Sequence, residues 1–219
     1  MDEIARIIIV DDHSLFREGI KLLIEKEGMG EVVAEAENGQ VFLSLLENIQ
    51  PDLVLMDIEM PVMNGIEASI QALAAVPGLK ILVLTMLSEK DNYTNLIKAG
   101  VLGFVLKTSG KQELQLAIKT VLSGQSYFSG EILRQIIFTY GKHTIHQEKS
   151  PDLTIEFTPR EMEVLQYFCQ GLTSSEISEK LFRSVKTIEA HRSRLLEKTR
   201  TKNTINLILF AIKNKLVDI

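Results

Sequence analysis

Four short apolar runs in the first half of this 219-residue chain each end on a polar side chain, and this repeated pattern constrains the fold most. The runs cover residues 7–10, 53–56, 81–84 and 103–106, and they are followed by Asp11, Asp57, Thr85 and Lys107. Runs of this length and composition are typical of buried strands, and helical periodicity lies between them. We therefore predict an α/β fold, a five-stranded doubly wound parallel sheet with helices on both faces.

The first predicted helix spans about residues 14–27 and carries five aliphatic side chains that we expect to face the sheet. These side chains are Leu15, Ile20, Leu22, Leu23 and Ile24. Because helices cover both faces of a sheet of this type, its strands are apolar throughout, and polar groups are expected only where the strands end.

The polar groups that follow the strands are expected to meet at one edge of the sheet. The carboxyl ends of parallel strands share an edge, and ligands of open α/β sheets bind there. Asp11, Asp12 and Asp57 supply carboxylates, Thr85 a hydroxyl and Lys107 an ammonium group. This combination suits a divalent cation together with a phosphoryl group, because the cation removes the repulsion between phosphate and carboxylates.

The oxygen-rich set of ligands predicts Mg²⁺ rather than zinc. We expect Asp12, Asp57 and the backbone carbonyl of Glu59 to contact Mg²⁺ directly, and Asp11 to act through a water molecule. Asp57 is the predicted nucleophile, which would accept phosphate as an acyl phosphate. Lys107 would then place a positive charge on one phosphate oxygen, and Thr85 would donate a hydrogen bond.

These positions resemble the receiver domain of two-component response regulators, over about the first 125 residues. The residues that carry the resemblance are Asp11-Asp12, Asp57, Met60-Pro61, Gly65, Thr85 and Lys107. It implies a flavodoxin-like fold, a sensor histidine kinase as partner, and the same roles for the same positions. Phe104 stands where receivers often carry Tyr, so its ring is expected to act in switching without a ring hydroxyl.

Two other functions are compatible with parts of this pattern. Phosphatases of the haloacid dehalogenase type also use a strand-terminal Asp, with a second acid two residues later, where this chain has Glu59. That interpretation leaves Asp11-Asp12 unexplained, and Met60-Pro61 replaces the small or hydroxylic residues of those enzymes. The other alternative is a DNA-binding protein with a vestigial receiver, which the complete acidic set and Lys107 argue against.

Charge divides the chain into two dissimilar halves. Residues 1–128 contain 10 Lys and Arg against 18 Asp and Glu, whereas residues 129–219 contain 14 against 11. Between Arg183 and Lys202 there are seven basic and two acidic residues. This distribution indicates an acidic module joined to one that binds a polyanion.

Helix-start signals follow one another at short intervals near the end of the chain. Capping boxes begin at Thr158 and Thr173, and Ser184 precedes a third helix that is predicted to end near Thr199. A short helix, a tight turn and a basic helix form the helix-turn-helix arrangement.

The third of these helices has an apolar inner stripe, formed by Ile188 and Leu195 with His191 beside them, and an outer face suited to a major groove. Lys and Arg attract phosphates, Glu189 can accept a hydrogen bond from cytosine N4, and Ala190 can touch a thymine methyl group. Spacing alone leaves an ordinary solvated helix face as the alternative. The predicted DNA contacts are Lys186, Thr187, Glu189, Ala190, Ser193 and Arg194.

Residues 156–217 resemble the LuxR-type DNA-binding domain. The matching residues are Thr158-Pro159-Arg160-Glu161, Val164-Leu165, Gly171-Leu172, Glu176-Ile177, Ser184, Thr187-Ile188 and His191. A receiver followed by this domain is the layout of NarL/FixJ-class response regulators. The resemblance implies a transcription factor rather than an enzyme, which binds double-stranded promoter DNA and forms a homodimer on activation. Glu189 departs from the pattern, since many relatives carry Lys there.

We predict a receiver domain at residues 1–125, a linker at 126–155 with a helical segment at 131–140, and a helix-turn-helix domain at 156–219. Within the linker, residues 141–152 lack periodicity, which predicts a flexible stretch. No apolar run reaches bilayer length, the acidic N-terminus is unlike a secretory signal, and Cys169 is the single cysteine. These features predict a cytoplasmic protein without membrane contact, in which Cys169 is a packing residue.

Overall fold

The computed structural model describes residues 4–86, 93–136, 155–201, 203–214 and 216–217. The chain divides into two compact units, Met1–Tyr127 and Phe128–Ile219, and each is described by itself. Among the helices so described, none is long and apolar enough to cross a membrane.

The first unit alternates strands and helices around one sheet, and the predicted doubly wound parallel fold is confirmed. The sheet has the strand order β2-β1-β3-β4-β5-β6, in which β1 pairs in parallel with β2 and β3, β3 with β4, and β4 with β5. Its elements are β1 (Arg6–Val10), α1 (Ser14–Lys26), β2 (Glu31–Ala36), α2 (Gly39–Leu46), β3 (Leu53–Asp57), α3 (Gly65–Ala75), β4 (Ile81–Thr85), α4 (Tyr93–Ala99), β5 (Gly103–Leu106), α5 (Lys111–Leu122) and β6 (Tyr127–Phe128).

The sheet has six strands, not the five that the sequence predicted. The additional strand, β6, has only two residues, which is too short to show the alternation that identifies a strand in a sequence. The backbone N–H of Tyr127 donates to the carbonyl of Leu102 at 3.0 Å, beside β5. The predicted linker therefore begins with residues that extend the sheet.

The central strands are apolar throughout because both faces of the sheet are covered. Every residue of β3 and β4 is buried. Alternate residues of β1 and β3 pack on one face, against a cluster that α1 and α5 complete; its strand residues are Ile7, Ile9, Leu53, Leu55, Leu82, Leu84 and Val105. On this basis only the strand ends are free to present polar groups.

The inner face of α1 differs from the prediction at two positions. Leu15 is 81% exposed and Leu22 is 67% exposed, so neither of them contributes to the core. Leu15 and Leu22 are seven residues apart, which places both on the side of the helix opposite the sheet. Phe16, which the prediction omitted, packs on the cluster with Ile20, Leu23 and Ile24.

The second unit is helical, as predicted. Residues 130–136 are helical (α6), and the described part continues with α7 (Pro159–Cys169), α8 (Ser174–Lys180), α9 (Val185–Thr199) and α10 (Thr204–Lys213). The predicted flexible stretch 141–152, and residues 137–140 of the predicted linker helix, lie outside the described residues. Both predicted capping boxes are present, at Thr158 with Glu161 and at Thr173 with Glu176, and Ser184 caps α9.

The core of the second unit forms where α7 packs against α9 and α10 and where α8 packs against α9. Its fully buried side chains include Val164, Leu165, Ile177, Ile188, Leu195, Ile205, Leu207 and Ile208. Cys169 is also buried, and burial raises the pKa of its thiol to about 12. The prediction that Cys169 is a packing residue is therefore confirmed.

An ion pair between a buried carboxylate and a lysine that is partly exposed connects α7 and α9. Nζ of Lys198 on α9 lies 2.6 Å from Oε2 of Glu161 on α7 and also donates to the carbonyl of Glu156 at 3.0 Å. Burial opposes ionisation of Glu161, but hydrogen bonds from Lys198 and Thr158 outweigh it, so the pKa of Glu161 is lowered. The capping box thus fixes both the start of α7 and the position of α9.

We predict that Lys198→Met lowers the free energy of unfolding of the second unit by about 1–2 kcal/mol at pH 7, because the buried carboxylate of Glu161 loses its cation. Since the folded pKa of Glu161 is lowered, this stabilisation is complete above the unfolded pKa of about 4.3 and is lost as the pH falls through the folded pKa. Calorimetry of the whole chain between pH 7 and pH 3 measures it, with the first unit as internal reference.

Lys213→Met is the matched control, because Lys213 is an exposed lysine at the end of α10. It should leave the transition of the second unit unchanged at every pH. A destabilisation by Lys198→Met that does not diminish at low pH would contradict the role given to Glu161.

Candidate functional site

The carboxyl ends of β1, β3 and β5 bring two carboxylates and one ammonium group into contact. Nζ of Lys107 lies 2.6 Å from Oδ2 of Asp11 and 2.7 Å from Oδ2 of Asp57. The two carboxylates are buried, and Lys107 is nearly so. The sequence prediction that these side chains share one edge of the sheet is therefore met by the geometry.

The sheet itself sets this arrangement. β3 lies between β1 and β4 in the sheet. Met56 of β3 pairs with Val10 of β1, and Asp57 follows Met56 as the last residue of β3. Beyond β4, the backbone N–H of Lys107 donates to the carbonyl of Thr85 at 2.8 Å, which extends the β4–β5 pairing to the site. Each functional side chain is therefore placed by backbone hydrogen bonds of a buried strand.

The pKa values of Asp57 and Lys107 are both raised, but for opposite reasons. Burial raises the pKa of Asp57, and the hydrogen bond and charge of Lys107 offset the rise only in part. Burial opposes the charge on Lys107, but its hydrogen bonds to Asp11 and Asp57 outweigh it and raise the pKa of Lys107. Lys107 is therefore a fixed cation, and Asp57 is a more basic carboxylate than an exposed aspartate.

The acidic groups also lie close enough together to share one cation. Ligand atoms of Asp11, Asp12, His13 and Asp57 all lie within 4.8 Å of one another. Three of the four offer carboxylate oxygens, which is the donor set that Mg²⁺ prefers. The position of the Glu59 carbonyl relative to this group stays a prediction.

Two residues near the site were not predicted from the sequence. His13 donates its backbone N–H to Oδ1 of Asp11 at 2.8 Å, and its Nδ1 lies 2.8 Å from Oδ1 of Asp12. Nη1 of Arg17 donates to the backbone carbonyl of Asp11. His13 and Arg17 follow β1, and no motif marks either of them. Only the helical period from Ser14, which places Arg17 one turn into α1, could have suggested the contact between Arg17 and Asp11.

The loop after Asp57 is closed by the backbone. Oδ1 of Asp57 accepts from the N–H of Ile58 at 2.8 Å, and the N–H of Gly65 donates to the carbonyl of Ile58 at 2.9 Å. A Cβ atom at Gly65 would collide with the backbone carbonyl of Asp57. Glycine is therefore required at this position by close approach of the chain to the acidic residue.

Thr85 ends β4, and Phe104 lies within the neighbouring strand β5. Thr85 is buried, and its hydroxyl donates to the carbonyl of Met86 at 2.8 Å. Phe104 is fully buried and meets the ring of Tyr93 on α4 edge to face, with ring centroids 5.5 Å apart. The ring of Phe104 thus faces inward and connects β5 to α4.

The predicted DNA contacts form an outer face of α9. Lys186, Ala190, Ser193 and Arg194 are exposed, while Thr187 and Glu189 are partly buried. Ile188 and Leu195 are fully buried on the opposite side, as predicted. Near the start of the helix, Ser184 accepts from the N–H of Thr187, and the hydroxyl of Ser193 donates to the carbonyl of Glu189 at 3.0 Å.

Comparisons with known proteins cover both units. Residues 7–119 match the response regulator receiver domain, and residues 156–211 match the luxR family of bacterial regulatory proteins. The transcriptional regulatory protein DegU of Brevibacillus brevis is 33% identical over 98% of this chain and 95% of its own length.

Two solved structures of RcsB also match over nearly the whole chain. RcsB of Salmonella enterica serovar Typhimurium, bound to a promoter in the presence of the phosphomimetic BeF₃⁻, is 26% identical, with a TM-score of 0.57 over 96% of this chain and 99% of that one. A structure of two RcsB dimers bound to two parallel DNAs is 25% identical, with a TM-score of 0.56 over 96% and 99%. The similarity therefore includes both units in the same order.

We predict that Gly65→Ala lowers the free energy of unfolding of the first unit by about 2 kcal/mol or more, because the added methyl group meets backbone atoms that cannot turn aside. Urea unfolding measures the loss. Gly19→Ala is the control, since a Cβ at Gly19 in α1 meets nothing within 4 Å and should be neutral or slightly stabilising. Equal stability of the two variants would show that the loop does not need glycine.

Proposed function

Since this chain belongs to the response regulators that join a receiver domain to a LuxR-type DNA-binding domain, we propose that phosphorylation of Asp57 controls its binding to promoter DNA. Members of this family are transcription factors and not enzymes. The observation that carries the proposal is the contact of Lys107 with both Asp11 and Asp57 at the carboxyl edge of the sheet.

The phosphate donor in this proposal is a partner histidine kinase. One carboxylate oxygen of Asp57 attacks the phosphorus of the phosphohistidine, the P–N bond breaks, and the imidazole of the kinase leaves. Lys107 then contacts a phosphate oxygen, and the hydroxyl of Thr85 turns to donate to another. The raised pKa of Asp57 supports its role as nucleophile, and the protonated Lys107 supports the stabilisation of charge on the phosphate.

A divalent cation is part of the proposed site. Asp12, Asp57 and the backbone carbonyl of Glu59 would hold Mg²⁺ directly, and Asp11 would act through water. When bound, Mg²⁺ supplies the charge that lets a phosphate approach three carboxylates. The clustering of the acidic ligand atoms within 4.8 Å and their oxygen chemistry support this assignment. The contact of His13 with Asp12 orients one of these ligands.

Thr85 and Phe104 are the proposed switch residues. A phosphate that draws the Thr85 hydroxyl toward Asp57 changes the packing around the end of β4, and Phe104 lies on the neighbouring strand opposite Val83, two residues before Thr85. The edge-to-face contact between Phe104 and Tyr93 gives this change a path to α4. The path needs no hydroxyl on the ring of Phe104.

The second unit is proposed to bind the major groove through Lys186, Thr187, Glu189, Ala190, Ser193 and Arg194. A helix-turn-helix of this size covers one half-site, so useful affinity requires two copies at a fixed spacing. We propose that the phosphorylated chain forms a homodimer for this reason, and the RcsB dimers on DNA support the proposal.

We retain the domain boundaries 1–125, 126–155 and 156–219 as part of the proposal, together with a cytoplasmic location. A cytoplasmic location suits a protein that binds intracellular DNA and meets the kinase domain of a sensor. The β6 strand lies just beyond the first of these boundaries, so a receiver fragment meant to fold well should end after Phe128 rather than at residue 125.

We predict that a small-molecule phosphodonor with Mg²⁺ adds one phosphate to the chain at Asp57, and that Asp57→Asn abolishes the addition. Intact mass spectrometry measures the gain, and removal of Mg²⁺ should prevent it. Asp52→Asn is the matched control, because Asp52 lies just before β3 and is exposed. If Asp57→Asn still gains the phosphate and Asp52→Asn does not, the phosphoacceptor has been assigned wrongly.

We predict that beryllofluoride and Mg²⁺ shift the chain from mainly monomer to dimer and tighten its binding to a promoter with two half-sites. To reverse the populations fully takes about 5.5 kcal/mol of differential stabilisation, so we expect partial rather than complete dimerisation. Sedimentation measures the mass, and fluorescence anisotropy at several salt concentrations measures the affinity, which should fall steeply with salt.

The control for this experiment is the Asp57→Asn chain, which should show neither change. Identical mass and promoter affinity with and without the analogue, once its binding is verified by mass spectrometry, would leave the phosphorylation-independent alternative. Lack of any salt-dependent affinity for DNA would contradict the role of α9.

A further inference from the structure

An ion pair on α9 joins Arg192 and Glu189, which lie one helical turn apart. Nη2 of Arg192 lies 2.6 Å from Oε2 of Glu189. The side chain of Arg192 is only 12% exposed and that of Glu189 is 28% exposed. Oε2 of Glu189 and Nε of Arg192 are shielded from solvent, and neither has a hydrogen-bond partner among the described residues, so the contact is electrostatic. The pair is therefore held against the helix and is unlike a solvated surface pair, whose members move freely.

Arg192 differs in this respect from the other cations of α9. Lys186 and Arg194 are exposed on the outer face, where they can reach phosphates. Arg192 lies closer to the buried stripe of Ile188 and Leu195, and its charge is already balanced by Glu189. Its guanidinium group is consequently placed to bind a protein carboxylate rather than DNA.

We propose that Arg192 is a positioning residue that fixes the carboxylate of Glu189 for recognition of a cytosine, an inference that rests on the proposed DNA-binding function. Arg192 binds Oε2, which leaves Oε1 to accept a hydrogen bond from the exocyclic amino group N4 of cytosine. The contact is made by a single guanidinium nitrogen, Nη2, so the charge and proximity of Arg192 hold the carboxylate in place.

The pairing also removes the main objection to an acidic residue in a DNA groove. A lone carboxylate is repelled by the phosphates on both sides of the groove, whereas a Glu–Arg pair has no net charge. A side chain that is already fixed loses little rotamer freedom on binding, so more of the hydrogen-bond energy contributes to base preference.

The test uses the full-length chain with beryllofluoride and Mg²⁺, first to select bound fragments from random double-stranded DNA. The selection is run with the wild-type chain and with Glu189→Ala, and the base pair at which the two selected sequences differ is identified. Anisotropy then measures affinity for four duplexes that differ only at that base pair. We expect the wild-type chain to prefer cytosine there by about tenfold, within the range of a good base contact. Glu189→Ala and Arg192→Met should each reduce the preference to about twofold or less, and the double variant should reduce it no further.

Two further variants distinguish positioning from other roles. Arg194→Gln should weaken binding to all four duplexes equally and leave the preference intact, as expected for a phosphate contact. Arg192→Lys should restore part of the preference, and it keeps the test valid if Arg192→Met does not fold, which circular dichroism and thermal unfolding will show.

The outcomes separate this inference from the proposed function. Absence of salt-dependent DNA affinity in the wild-type chain would overturn both. If the cytosine preference is lost in Glu189→Ala but kept in Arg192→Met and Arg192→Lys, the positioning role alone is overturned. Equal weakening of all four duplexes by the Arg192 variants would make Arg192 a phosphate contact, and a preference unchanged in Glu189→Ala would exclude recognition of the base by Glu189.

Discussion

Two buried carboxylates around one ammonium group are the interaction on which the first unit depends. Asp11 and Asp57 could not both remain charged at the end of a buried sheet without the cation of Lys107, because the desolvation of unpaired charges is too costly. The sheet places these groups through backbone hydrogen bonds, and Gly65 lets the following loop close over Asp57. Fold and chemistry therefore share the same few residues.

The second unit depends on a different kind of contact. Capping boxes at Thr158 and Thr173 satisfy backbone N–H groups at the starts of α7 and α8 that would otherwise lack partners. Glu161 does this at the start of α7 and also binds Lys198 from α9. The helix that we propose to face DNA is thus positioned by the cap of another helix.

The sequence predicts the strands and the residues at their ends well, because apolar runs and turn residues are local signals. It does not predict β6, which is too short to have a pattern, nor the outward orientation of Leu15 and Leu22, since hydrophobicity alone does not reveal which side of α1 meets the sheet. The contacts of Arg17 and the pairing of Arg192 with Glu189 depend on side-chain directions in the folded chain. The i,i+3 spacing of Glu189 and Arg192 and the helical period that carries Arg17 make these contacts possible, but spacing does not show that they form.

The pairing of Arg192 also changes how the charge of this region should be counted. Of the seven basic residues between Arg183 and Lys202, Arg192 is balanced by Glu189 and Lys198 by Glu161. DNA affinity depends on salt through the counterions that protein cations displace from the phosphates. A cation whose charge is already balanced within the protein displaces few of them. The number of ions released on binding will therefore be smaller than the number of arginines and lysines in the segment, and part of its positive charge serves the architecture of the protein.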